Sequence, residues 1–188
     1  MRPHPSTPPL GHVCSKLLAA WNEARGEDLL PIRKDLRPAA IASILTRTYI
    51  LDYRSADAVI YTLVGSDISE ELGYELTGRN LIELIAEEER PFRRARWKLM
   101  AETPCGLYGL ARVPTQRGVA VPFANICLPM RANGGGKLHF IGAVEEAPGL
   151  RPLIELDPAR QSFQQNVELA AIDIGSGAPQ LPGLPESK

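Results

Sequence analysis

The side chains able to do redox or metal chemistry are three cysteines, Cys14, Cys105 and Cys127, and three histidines, His4, His12 and His139. None forms a CxxC or an HExxH, and no set of them has metal-ligand spacing, so no metal site is expected. An odd number of scattered thiols reads as reduced, buried cysteine rather than a disulfide frame. The stretch YTLVGSDISEELGYELTGRNL (61–81) holds Gly65, Gly73 and Gly78. Spacings of eight and five residues do not make GxGxxG, and no GKS or GKT follows, so no phosphate cradle is formed. These glycines read instead as punctuation between short elements. Asp52, Asp57 and Asp67 stand at strand ends and caps, where turn formation explains them. No nucleophile elbow is present, so no catalytic residue is assigned and an enzyme is not expected. In EEERPFRRARWK, Arg90 and Arg94 form an RxxxR, but no clean companion motif for a cyclic dinucleotide accompanies it. Acidic residues at the start, basic ones later and the i,i+4 pair Glu89 and Arg93 describe a solvated helix face.

The elements that position these groups belong to a chain of 188 residues, 44% hydrophobic, enough for one ordinary domain with extensions. Its 21 basic residues balance 22 acidic ones for a net charge of −1, so no overall field draws it to nucleic acid or an anionic membrane. The start MRPHPSTPPLG has no signal-peptide core, and no apolar run reaches membrane-spanning length. A cytoplasmic protein without membrane insertion is expected.

Prolines at 3, 5, 8 and 9 mark residues 1–11 as a flexible leader. Residues 12–46 form an N-terminal helical extension. SKLLAAWNEARG sets Leu17, Leu18, Trp21 and Ala24 near one helical face, and Pro38 opens a second short helix carrying Ile41, Ile44 and Leu45. Residues 47–147 form the main domain. TYILDY and AVIYTLV are strands of a hairpin, short glycine-bounded helices follow, and EEERPFRRARWKLMAET reads as a longer helix. CGLYGLARV, VAVPFANICLPM and KLHFIGAVEE, split by turn formers, make an antiparallel meander. The predicted fold is α+β: a five-stranded antiparallel sheet with helices on one face, plus the N-terminal extension. Residues 148–188 are a tail expected to be largely flexible, with room for a short helix around 158–171.

The order of elements resembles that of a PAS domain, and the local wording resembles the bacterial PAS_5 family. The residues that carry it are Trp21, the Pro31-Ile32-Arg33-Lys34-Asp35-Leu36-Arg37-Pro38 turn, Val64-Gly65-Ser66 and Gly73-Tyr74-Glu75-Leu76-Thr77-Gly78. The resemblance spans roughly residues 15–145. It departs at Thr62, where members often have arginine. It implies a sensory or signalling role, in which the cleft between sheet and helices either holds a small molecule or is filled by side chains. The expected function is a stand-alone sensory module that binds a small molecule and relays to a partner protein, with a homodimer expected. The alternative is a ligand-free protein-interaction adaptor, and a small α+β enzyme is a distant third.

A haem would need an axial ligand on the longer helix or an adjacent strand; residues 87–103 contain no histidine, and His139 reads as a packed or solvated residue. A flavin photosensor would need a cysteine ahead of the longer helix, where Asn80 and Leu81 stand. Neither cofactor is expected, and the ligand is left open. Sheet residues of one register, Tyr61, Leu63, Phe123 and Asn125, with Phe92 and Trp97 from the helical side, are the candidate ligand-binding set. Tyr61 and Asn125 would orient a ligand. Leu17, Leu18 and Trp21 are the candidate interface that transmits the signal across the dimer.

Overall fold

The computed structural model describes residues 10–147, 149–152 and 165–182. Most of the expected leader therefore lies outside the described residues. Helix α1 (His12–Arg25) is followed by a 3₁₀ segment (Pro38–Arg47), tighter than the α-helix expected there. Strands β1 (Thr48–Ser55) and β2 (Ala58–Val64) form the hairpin. Helices α2 (Ser66–Leu72), α3 (Leu81–Leu84) and α4 (Arg90–Glu102) come next. Strands β3 (Gly106–Pro114), β4 (Ala120–Arg131) and β5 (Leu138–Glu146) make the expected meander. The sheet order is β2-β1-β5-β4-β3-β6, antiparallel throughout.

The sixth strand, β6 (Gln165–Ile172), corrects the five-strand expectation. It covers the free edge of β3, and the helix expected around 158–171 is a strand over its described part. A bare edge presents unpaired backbone groups, and the apolar residues Leu169 and Ala171, two apart, pack on the same core, as strand periodicity requires.

The second correction concerns the layers. Both faces of the sheet are covered. On one, α2, α3 and α4 enclose Leu51, Tyr61, Leu107, Phe123, Cys127 and Phe140. On the other, α1 and the 3₁₀ segment enclose Ile50, Ala124, Ile126, Leu128 and Ile141. Residues 124–130 of β4 are buried without interruption, the pattern of a strand with an apolar layer on each side. Glu145 on β5 fastens α1 to the sheet. Its Oε1 accepts from Gly11 N at 2.8 Å, and its Oε2 from Val13 N at 2.9 Å and Cys14 N at 3.4 Å. Those are the orphan donors of a helix start, met by a carboxylate that also suits the positive end of the helix dipole. Trp21 Nε1 donates to Pro129 O at 2.8 Å.

The glycines act as punctuation. Gly65, at φ −68°, has no room for a Cβ because Thr46 O lies directly against it. Gly73 and Gly78 hold φ of +79° and +84°, a conformation that glycine adopts without the strain a Cβ would bring.

Candidate functional site

The cleft between the sheet and α4 is where β1, β2 and β4 bring their α4-side residues together. Tyr49, Tyr61 and Asn125 meet there and form a wall between two small cavities. One, about 50 Å³, is lined by apolar residues such as Ile68, Leu72, Leu76, Val113 and Phe123. The other, about 30 Å³, is lined by Leu51, Arg93, Arg96, Trp97 and Cys127 among others. Tyr49, Tyr61 and Asn125 line both. The Tyr49 and Tyr61 rings meet edge-on with centroids 5.9 Å apart, and Trp97 meets Phe140 in the same manner at 4.9 Å. The Tyr49 ring lies over Gly142 of the neighbouring strand, where a Cβ would occupy the space of the ring itself.

Burial sets the electrostatics of this wall. It pushes the Tyr49 and Tyr61 phenols well above their ordinary range, the Arg93 charge working in the opposite direction on Tyr61. It raises the Cys127 thiol to about 12. All three groups are therefore neutral at physiological pH, donors and weak acceptors rather than nucleophiles. Asn125 Oδ1 is buried without a hydrogen-bond partner. Such an acceptor is costly to leave unpaired and is met by a donor when a ligand or water enters.

The cationic side comes from α4. Arg93 and Arg96 are 5% and 2% exposed. Burial opposes both charges and pulls Arg96 down to about 9, the neighbouring Arg93 adding to the effect. A guanidinium nonetheless keeps its proton at neutral pH, so two positive charges face the cleft. Glu89 Oε2 lies 3.9 Å from Arg93 Nη2, which gives the anticipated i,i+4 pair a buried member. Arg96 donates from Nε and Nη2 to Pro182 O at 3.1 and 2.9 Å.

Of the anticipated ligand set, Tyr61, Trp97, Phe123 and Asn125 stand in this cleft. Leu63 does not, being 37% exposed. The reason is a bulge: Ile50 pairs with Leu63 but the next residue, Leu51, pairs with Tyr61, so Thr62 is the extra residue and strict alternation fails there. Thr62 Oγ1 donates to Ile50 O at 3.2 Å, and Val64 rather than Leu63 lines the cavity. Phe92 is 55% exposed, on the outer side of α4. Leu17 and Trp21 are buried in the chain's own core and Leu18 packs at its margin, because the sheet face beneath α1 is otherwise bare. Leu17 and Trp21 are thus held inside this chain's own core rather than presented at its surface. Sequence reasoning missed Tyr49, Arg93 and Arg96. The signal for the arginines was in the helix itself: Arg93, Arg96, Trp97 and Met100 repeat at the spacing of its buried face.

Among the described residues, no three His, Cys, Asp or Glu side chains gather as a metal site, and no helix is long and apolar enough to cross a membrane. A family model described as PAS domain, PAS_5, matches residues 11–145. The chain belongs to the PAS_5 family. PAS domains are common sensory and signalling modules, and the α+β fold found here is the one that the family implies. Solved structures similar to this PAS_5 chain include the light-state LOV domain of the blue-light photoreceptor Aureochrome1, at 14% identity and a TM-score of 0.43 over 58% of this chain and 88% of that one. The PAS domain of an HTR-like protein from Haloarcula marismortui matches at 16% identity and a TM-score of 0.41, covering 61% and 98%. A PAS domain from Colwellia psychrerythraea matches at 12% and 0.43, covering 56% and 92%. Comparison with curated proteins gives no match.

Proposed function

We propose that this PAS_5 chain is a cytoplasmic sensory module that binds a small molecule between its sheet and α4 and relays that event to a partner protein. Residues 47–147 act as the sensory domain and 12–46 as its N-terminal extension. The observation that carries the reading is the wall of Tyr49, Tyr61 and Asn125 between two cavities, with Asn125 Oδ1 unpaired. A domain whose cleft served only as core would gain stability from an apolar residue at position 125, since an unpaired buried acceptor costs about 1–3 kcal/mol. Polar groups converging on an apolar cavity are the ordinary composition of a ligand site. Binding shifts the module only by the ligand's differential affinity for two packings of the wall, and movement of Tyr49 on β1 reaches α1 through the opposite face of the same strand. Homodimer formation belongs to the same proposal, through surface other than the buried Leu17 and Trp21.

A second reading, a ligand-free adaptor, is favoured by cavity size. Volumes of about 50 and 30 Å³ hold a few waters, against roughly 300–1,000 Å³ for drug-sized ligands. The sensor reading therefore requires the wall to move and join the two spaces. Native mass spectrometry with an absorption spectrum of the purified protein decides between them. A retained mass that is lost in Asn125→Leu establishes the sensor. An unliganded mass, with a partner recovered equally by the wild type and Asn125→Leu, establishes the adaptor.

A further inference from the structure

A concavity of about 770 Å³ lies at one end of the sheet, bounded by β1, the β4–β5 turn and the C-terminal end of α4. It falls within the roughly 300–1,000 Å³ of small-molecule sites, as neither cavity beside the Tyr49 wall does. Its floor is a row across three adjacent strands. Tyr53 on β1 pairs with Leu138 on β5, and Leu138 pairs with Arg131 on β4. Paired residues share a face, and Tyr53 and Leu138 pack on the α4-side core. Two strand spacings, roughly 10 Å, therefore separate the backbone of Tyr53 from that of Arg131. Ala101 and Pro104 form the facing wall. The Tyr53 ring meets Phe140 edge-on, with centroids 6.3 Å apart. Burial raises its phenol, the Glu102 charge acting in the same direction, so its O–H is a donor at neutral pH.

The charge stands at the rim. Arg54 Nε donates to Asp52 Oδ2 at 2.9 Å, and these two charges compensate each other. Glu102 is engaged by Lys98 at 3.8 Å. Arg131 and Lys137 line the same concavity, and among the described residues neither takes part in an ion pair. Gly136, beside Lys137, has open space where a Cβ would stand, so the approach to both cations is clear. Two positive charges thus border a space floored by an aromatic ring and a leucine.

We propose that this concavity is a second binding site, for a small aromatic phosphate monoester. The phosphate sits between Arg131 and Lys137, and the ring lies against Tyr53 and Leu138. A phosphate dianion matches two cations, and its oxygens fit the planar edge of a guanidinium; a single carboxylate would leave one cation uncompensated. The site is independent of the Tyr49 wall and holds whether or not the cleft takes a ligand.

Phenyl phosphate is the probe, with phenol as the ring without the charge and inorganic phosphate as the charge without the ring. Calorimetry on the full chain at about pH 8, where the phosphate is dianionic, reads affinity. Phenyl phosphate is expected to bind at least about tenfold more tightly than inorganic phosphate, and phenol not measurably. Arg131→Gln or Lys137→Gln should weaken phenyl phosphate by about tenfold, the loss of one charge-assisted contact, and the double variant should abolish binding. Both side chains are exposed, so the variants fold. Asn125→Leu should bind as the wild type does.

His139 supplies a local readout by NMR of its ring. Its Nε2 lies 3.6 Å from Asp52 Oδ1. Burial lowers its basicity, Asp52 opposes that effect, and Arg33 and Lys137 add to it. A dianion beside Lys137 offsets the lysine charge, so His139 should titrate at higher pH with phenyl phosphate and unchanged with phenol. Absence of phenyl phosphate binding, equal binding by the double variant, or binding that leaves His139 unmoved overturns the site. Equal affinity for inorganic phosphate overturns the aromatic part. Binding lost in Asn125→Leu but kept in the double variant would put the ligand in the cleft, sustaining the sensor reading and removing this site.

Discussion

Glu145 offers the most quantitative check on how the α1 layer is held. Its carboxylate, 8% exposed, accepts from three backbone N–H groups at the start of α1. Glu145→Ala leaves those donors facing a space that water reaches poorly. Loss of a helix cap costs about 1 kcal/mol, a hydrogen bond to a charged group about 1.5–3, and the helix dipole adds about 0.5. These overlap, so a total near 3 kcal/mol is expected. Glu145→Gln keeps a carbonyl acceptor without the charge and should lose roughly half as much. With a urea m-value of about 2 kcal/mol/M, the midpoint falls by ~1.5 M for Ala and ~0.7 M for Gln. Urea melts followed by tryptophan emission suit the measurement, because Trp21 sits in the layer being loosened. A shift under about 0.3 M for Glu145→Ala would falsify the idea that this carboxylate anchors α1.

Stability should fall in alkali. Cys14, Cys105 and Cys127 all have thiols pushed above their ordinary value, chiefly by burial, to about 11 in Cys105 and about 12 in Cys127. Their folded-state pKa values exceed the unfolded ones, so the unfolded chain loses protons first; the neutral-thiol contribution is complete below pH 8 and drains away above 9. At pH 10 each thiol withdraws about 1.4 kcal/mol, and urea midpoints measured at pH 8 and 10 test the sum. The same three thiols should resist alkylation at pH 8 in the native protein and react together on unfolding, which thiol counting with and without urea would show. Gly142→Ala drives a methyl into the Tyr49 ring and should cost about 1–3 kcal/mol, with retention of full stability counting against the placement of that ring. Asn125→Leu should leave stability unchanged or raise it by about 1 kcal/mol, while abolishing retention of any ligand; a large destabilisation would mean that Asn125 is already paired.

The hairpin, the meander and the glycine stops were legible because each rests on local chemistry: β-branched runs, turn formers and positions without room for a Cβ. The bulge at Thr62 was not. Nothing in AVIYTLV distinguishes a regular strand from one with an extra residue, and a one-residue slip moves Leu63 out of the cleft and Val64 into it. The two-sided burial of β4 was legible in principle, since VAVPFANICLPM is apolar without alternation. It was misread because α1 was assigned to a partner rather than to the face of its own sheet. The buried arginines were hidden by composition. A helix with five basic residues, Arg90, Arg93, Arg94, Arg96 and Lys98, looks like a solvated surface, and only phase along the helix separates Arg93 and Arg96 from exposed neighbours.

That phase changes what the helix is for. Surface charge on α4 would be screened and nearly interchangeable, whereas Arg93 and Arg96 carry their charge into a cavity at a desolvation cost that the fold must offset. Arg96 donates to the carbonyl of Pro182, in a segment whose earlier residues Ile172 and Ile174 are embedded in the opposite layer. Removal of that guanidinium is therefore expected to be felt beyond α4: Arg96→Gln should speed hydrogen exchange in 173–182 as well as in α4, and acceleration confined to α4 would show that the contact with Pro182 does not hold that segment.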